Sequence, residues 1–378
     1  MSGLCRVALR YYTGQITSPF FIHAMRRQGM PGFFSWISGL FNSTQSVPQA
    51  ASETRLFNPS STSQPGSSND EGDIVGQLED HLFTWLLDVE PARLRAGTDS
   101  GEKELAELER RLQMNEMEEL PRKPGSLPML MRALSNEATE RKELTRIILS
   151  DPSLTDQLLQ VANSPYFRPS EHVIESVDQA VFVLGVDGIR NVIAAAVMRP
   201  MMAARNSREA LFAQRSWRWG LTCARAAEMI AKIHRDDTSA HFMVGLLPAL
   251  AYITIRRELG RIYRTRGSGS EPEPALLRLA LARYQWATCQ LLANVWTLPP
   301  KYHAWLLSAE RPAPRQAHSA LTDGLLLGTR EVLRHARQRN LSEENLIRIV
   351  HLSPEQLGRV RTVLLRMLQE GKSSQVRT

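Results

Sequence analysis

Catalysis on a phosphoester or a carbonyl needs a few residue types at fixed spacings, and this 378-residue chain carries fragments of several such patterns. His234-Arg235-Asp236 copies the opening of a kinase catalytic loop. Position 241 is His where that loop requires asparagine, and neither a Gly-rich loop nor DFG accompanies it. Gly267-Ser268-Gly269-Ser270-Glu271-Pro272 begins like a dinucleotide loop, but Pro272 stands where the third glycine belongs and no strand-like run precedes it. There is no GxxxxGK[ST], GxSxG or HExxH. The 9 histidines are dispersed and none is followed directly by aspartate. His81, His234 and His335 read as helix-surface residues. The 3 cysteines, Cys5, Cys223 and Cys289, form no CxxC and no even-numbered framework, which points to a reducing compartment and away from structural zinc. Cys223 and Cys289 lie in apolar segments and read as small buried hydrophobes.

One stretch is locally unfavourable. Gly245-Leu246-Leu247-Pro248-Ala249-Leu250-Ala251 lies inside a long apolar helical pattern. A proline there removes a backbone donor and clashes with the preceding turn, at a cost of about 3 kcal/mol or more. It is tolerable where neighbouring helices accommodate the freed carbonyl near Val244, and it is expected to kink the helix.

The elements around that stretch are all helical by pattern. Apolar positions Ile74, Leu78, Leu82, Trp85, Leu86 and Val89 follow Asp73 at helical spacing, with Asp73 as N-cap. A second helix over 101–120 buries Leu105, Leu108, Leu112 and Met117, and "PRKPG" from Pro121 ends it. Further helices are predicted over 127–135, 138–150, 152–163, 176–184, 187–202, 207–234, 238–260, 272–297, 300–310, 315–340, 341–350 and 353–370. No alternating strand-length run with a hairpin turn occurs, so the fold class is all-α. No run approaches about 18 apolar residues, so no transmembrane helix is expected.

The chain divides by composition. Residues 1–73 form a low-complexity N-terminal region predicted to be disordered, because 42–73 is too poor in apolar residues to offset its ordering entropy. Within it, 30–41 ("MPGFFSWISGLF") is an amphipathic, aromatic segment suited to a partner groove or a peripheral membrane contact. The first 29 residues lack a signal-peptide h-region and loosely suit a transit peptide; a working start at Met30 is the simpler reading. The main module spans 121–310, with a C-terminal helical extension over 311–370 and a basic tail over 371–378. Residues 74–120 form a helical hairpin or extension, either packed on the main module or dimerising separately. Helix 353–368 presents Leu357, Val360, Val363, Leu364 and Met367 on one face, for core packing or partner docking. Net charge is +7 and the pI is near 9.6. Basic residues are mostly interleaved with acidic ones on helix faces, so no specific nucleic-acid partner is expected.

Residues 121–205 carry a family resemblance. "SLPMLMRAL", "ELTRIILSDPSLTDQLLQVANSPYF", "IESVDQAVFVLGVDGIRNVIAAAVM" and "WRWGLTCARAAEMIA" together resemble the HDOD domain, the HD-related output domain of bacterial signalling proteins. The likeness runs over about 121–310. Its most recognisable pattern is Asp151-Pro152 to Asn163-Ser164, followed by Leu184-Gly185. These residues also have local reasons. Asp151 caps a helix whose first position is Pro152, and Leu154, Leu158, Leu159, Val161 and Ala162 face inward. Asn163 stops the helix in a left-handed conformation, and Gly185 does likewise after "AVFVL". The motif residues Asp151, Pro152, Asn163, Ser164 and Gly185 are therefore read as structural.

The resemblance implies relatedness to HD hydrolases, whose metal is held by a His-Asp pair and further His and Asp residues. In members that retain that site, "GLLHDIG" would fall at 245–251. Here Pro248 and Ala249 stand in place of His-Asp and Ala251 in place of the glycine, Trp219 and Gln285 stand at two histidine positions, and Ser308-Ala309-Glu310 replaces a histidine cluster. The expectation is a cytoplasmic, non-enzymatic regulatory protein with no metal and no cofactor, acting on protein partners. Two alternatives stand beside it. One is a nucleotide sensor using the vestigial pocket through Arg190, Arg218, Arg225 and Arg256; the other is an HD-type phosphohydrolase.

Overall fold

A computed structural model of the chain describes residues 68–95, 101–125, 127, 141–149, 152–164, 166–167, 172–266, 271–310 and 319–373. Segment 30–41, Asp151 and residues 374–378 lie outside these. The described residues contain helices and turns and no strand. The helices are α1 (Ser68–Leu87), α2 (Pro91–Leu94), α3 (Glu102–Gln113), α4 (Arg141–Leu149), α5 (Pro152–Ala162), α6 (Val177–Met202) and α7 (Ser207–His234). They continue as α8 (Thr238–Arg266), α9 (Pro274–Val295), α10 (Pro300–Glu310), α11 (Ala320–His335), α12 (Glu343–Ile349) and α13 (Pro354–Ser373).

Helix α7 is the spine, clasped between α8 and α11. Small residues allow the approach. A Cβ added at Gly245 of α8 would sit 2.7 Å from Ala224 Cα, and one at Gly328 of α11 would sit 2.6 Å from Cys223 Cα. Both partners lie on α7, so its backbone touches helices on two sides. Asn206 starts α7 by accepting a hydrogen bond from the Glu209 amide, and Arg235 ends it at φ 63°. Helix α8 is buried along nearly its whole length. With α6 it is long and apolar enough to cross a membrane, but 94% of its most apolar window is covered by protein, as befits a core helix.

Helices α1 to α3 pack onto this core: Leu78, Leu82, Phe83 and Leu108 are fully buried in the same apolar cluster as α8 and α11. A carboxylate with no solvent exposure, Glu258 on α8, accepts from Arg111 at 2.7 Å and from the Glu119 amide at 2.8 Å. That pairing offsets its burial and ties 111–119 to α8. At the other end α13 buries Leu357, Val360 and Leu364 in the core, and its Arg361 donates to the buried Glu331 of α11 at 3.1 Å.

Several boundaries differ from the sequence reading. Helix α1 already runs from Ser68, so Asp73 lies inside it rather than capping it, and the low-complexity region ends earlier than residue 73. A short helix, α2, was not predicted; Pro91 at its first position explains its start. Helix α3 ends at Gln113 and turns fill 114–120. Helix α8 continues to Arg266, six residues beyond the predicted end, with Pro248 inside it. The C-terminal helix reaches Ser373. The break at Gly185 is present: its φ of 70° and ψ of 179° divide α6, in a region that essentially only glycine occupies without strain.

Candidate functional site

Two of the places where metal ligands would be expected, Trp219 and Pro248-Ala249, lie on the facing helices α7 and α8, while Gln285 lies on α9 and Ser308–Glu310 on α10. Trp219 on α7 has no solvent exposure, and its indole Nε1 donates to Thr329 Oγ1 of α11 at 2.8 Å. Its ring lies on that of Tyr252 of α8, with centroids 4.9 Å apart and planes 10° apart. Tyr252 is one helical turn beyond Pro248, so this slab occupies the face the proline shares. Phe83 of α1 adds a third ring, 5.8 Å from Tyr252. Ala249 is pressed against α7: a Cβ added at Gly220 would lie 2.6 Å from the Ala249 methyl.

The polar groups around the slab are buried and poorly reactive. The Tyr252 hydroxyl has no hydrogen-bond partner, and burial, with Glu79, Cys289 and Cys223 nearby, raises its pKa well above that of an ordinary tyrosine. Burial likewise pushes up the thiols of Cys223 and Cys289. A thiol held protonated is a poor nucleophile and a poor metal ligand. Gln285 on α9, one turn before Cys289, is fully buried and neither atom of its amide finds a partner. Glu310 of the "SAE" segment stands within electrostatic range of Cys289.

A divalent metal needs several His, Cys or carboxylate ligands converging on one point. Among the described residues no group of three or more such side chains does so. At the expected positions Trp219 offers only an N–H donor, already used, and Pro248 and Ala249 offer no lone pair at all. The residues present do not fit the metal.

The four arginines considered for phosphate contact are engaged elsewhere. Arg225 pairs with Glu228 at 2.6 Å and Arg190 with Asp187 at 3.5 Å, both at the α6–α7 interface. Burial raises the pKa of Glu228, opposed by the Arg225 guanidinium beside it. Arg218 lies near the Tyr166 hydroxyl, whose pKa is pushed up to about 12 by burial and opposed by that arginine. Arg256 stacks over Phe212 at 4.6 Å.

The structural motif works differently from expectation at one residue. Asn163 is not left-handed. Its Nδ2 donates to the carbonyls of Leu159 at 2.9 Å and Ile174 at 2.7 Å, and its Oδ1 accepts from the Ile174 amide at 2.8 Å. The amide thus latches the end of α5 to the segment entering α6. Ser164 completes the turn through its backbone, with its amide donating to Val161 and its carbonyl accepting from Phe167. Pro152 opens α5 and is exposed. His81 is half-buried rather than a plain surface residue, and its Nδ1 has no partner.

This latch, the Gly185 break and the α7–α8 pair all fall within one stretch that matches a known family: the HDOD domain profile covers residues 120–312. The chain belongs to the HDOD domain family. The uncharacterised protein YuxH of Bacillus subtilis is 27% identical over 194 residues, covering 48% of this chain and 46% of that protein. The chain therefore matches less than half the length of this curated relative. A candidate metal-dependent phosphohydrolase from Shewanella amazonensis has a similar fold, with a TM-score of 0.52 at 18% identity over 73% of this chain and 99% of its own. A second candidate phosphohydrolase from the same organism gives 0.50 at 19%, covering 71% and 97%. These likenesses cover more of the chain than the HDOD profile does, so the shared fold takes in helices flanking 120–312.

Tyr252 and Thr329 escaped the sequence reading. The i, i+4 spacing from Pro248 would have pointed to Tyr252; no sequence signal links Thr329 to a tryptophan on another helix.

Proposed function

We propose that this HDOD protein is a non-catalytic regulatory component acting through protein–protein contact in the bacterial cytoplasm. The observation that carries this reading is the interior slab of Trp219 on Tyr252, with Ala249 pressed against Gly220, at the positions where a hydrolase would hold its metal. Packed side chains leave no place there for a water-activating ion or for a nucleotide phosphate. The arginines that a nucleotide sensor would use bind protein groups instead.

A partner surface has support in the N-terminal part of the HDOD module. Leu149, Val173, Phe182 and Val183 are all exposed there, Phe182 by 76%. Exposed aromatic and aliphatic groups on an otherwise well-packed module favour protein contact. The test is quantitative cross-linking and affinity purification of the full chain beside its Phe182→Asp, Val183→Asp variant. A defined partner that rebinds in purified form to the parent and not to the variant supports the reading. Metal-dependent phosphoester turnover by the purified chain overturns it.

A further inference from the structure

A second feature lies away from the aromatic slab. A cavity of about 490 Å³ opens between the α1–α2 region, α7 and the turn after α11, walled by His81, Trp85, Asp88, Arg93, Arg215 and Arg339. Its volume falls in the range of small-molecule sites. All of these residues except Arg215 lie outside the stretch matched by the HDOD profile.

The charges in it are unevenly used. Arg215 donates to Asp88 at 2.9 Å, bonds the Trp85 carbonyl and sits 5.7 Å over the indole, so it is neutralised and held in place. Arg93 and Arg339 are exposed and have no carboxylate partner among the described residues; Glu90 on the same rim forms no ion pair with either. Three guanidinium groups therefore face two carboxylates. His81, half-buried, forms part of the wall with its Nδ1 turned away from solvent. Arginine forks suit phosphate oxygens in both charge and geometry.

We infer that this cavity binds a small phosphate-bearing anion, seated between Arg93 and Arg339. The inference stands apart from the regulatory reading above, and either can fail alone.

The test is calorimetric titration of the full chain with pyrophosphate, AMP, GMP and citrate, each to about 1 mM, at constant ionic strength. The Arg93→Glu, Arg339→Glu double variant is measured beside Arg359→Glu, a control on α13 whose side chain is 76% exposed. Binding of at least one phosphate compound, weakened about tenfold or more in the double variant and unchanged in the control, is the expected result. Thermal unfolding of each variant in the absence of probe should match the parent, since the two arginines are exposed. Silence from pyrophosphate and both nucleotides overturns the inference. So does citrate binding as well as the phosphates, or binding that the double variant leaves intact.

Discussion

Trp219 and Tyr252 lie face to face across the α7–α8 interface, 4.9 Å between ring centroids and 10° from parallel. The tryptophan is anchored from behind by its hydrogen bond to Thr329, and Phe83 approaches the tyrosine from α1. The position at which the family resemblance would place a histidine is thus tied by aromatic packing to α8, one turn beyond Pro248 of the would-be His-Asp pair. Replacing ligands by rings exchanges a solvated charge site for buried apolar surface, and that surface binds α1 to the module.

Trp219→Phe should keep part of the stacking and lose the indole donor, leaving Thr329 Oγ1 buried with only the distant Cys223 thiol, 4.0 Å away. The expected loss is about 1–3 kcal/mol in urea unfolding. Trp219→Ala should lose about 3–5 kcal/mol through the cavity it leaves. Equal stability of parent and Trp219→Ala would contradict the slab's structural role.

Restoring the missing pair by Pro248→His, Ala249→Asp should not restore a metal site. Ala249 already abuts α7 at Gly220, so an aspartate forces the helices apart, at about 1–3 kcal/mol of overpacking strain. Lower thermal stability with no bound manganese is expected, measured by calorimetry and elemental analysis. A variant as stable as the parent that retains metal would show that the interior still has room.

Asn163→Ala removes three side-chain bonds to the backbone at once. It should cost about 1–3 kcal/mol, most of it from backbone groups left unpaired. Asn163→Asp keeps the acceptor for the Ile174 amide but sets a carboxylate against two carbonyls, so it should do no better than alanine. Hydrogen exchange at Ile174 reads the latch directly, with faster exchange in both variants. Unchanged protection there would remove the latch from the account.

Acid should weaken the fold through its buried histidines. His241 is held below its ordinary value of 6.5 mainly by burial, with its Nδ1 2.8 Å from the Asp237 carbonyl and its ring 4.2 Å from that of Trp305. Burial lowers His303 and His81 as well. A group whose folded pKa is depressed contributes stability that is present above its unfolded pKa and is lost as pH falls toward the folded one. The melting temperature should therefore decline from about pH 7 toward pH 5, and less steeply in His241→Gln, as thermal scans across that range would read. A flat profile in the parent, or an identical slope in the variant, contradicts this.

Much of this architecture was legible in the sequence because it rests on local rules. Helical apolar spacing marked most elements, and Gly185 marked a break because few other residues take its backbone angles. Pro248 and Ala249 announced the lack of ligands by their identity alone. What was not legible depends on partners distant in the chain. Asn163 looked like a left-handed helix stop, but its amide reaches Ile174, eleven residues on. Asp73 looked like a cap, yet α1 begins five residues earlier at Ser68, where composition suggested only linker. The Thr329 bond to Trp219 spans 110 residues, and the arginine cavity gathers side chains from three separate regions.

The measurement that tests the central claim most directly is the metal content of the purified full chain after incubation with manganese and removal of the excess, read by elemental analysis. The account predicts far less than one ion per chain, with no hydrolysis of a phosphodiester by the same sample. About one retained ion per chain, with turnover that depends on it, would contradict the account.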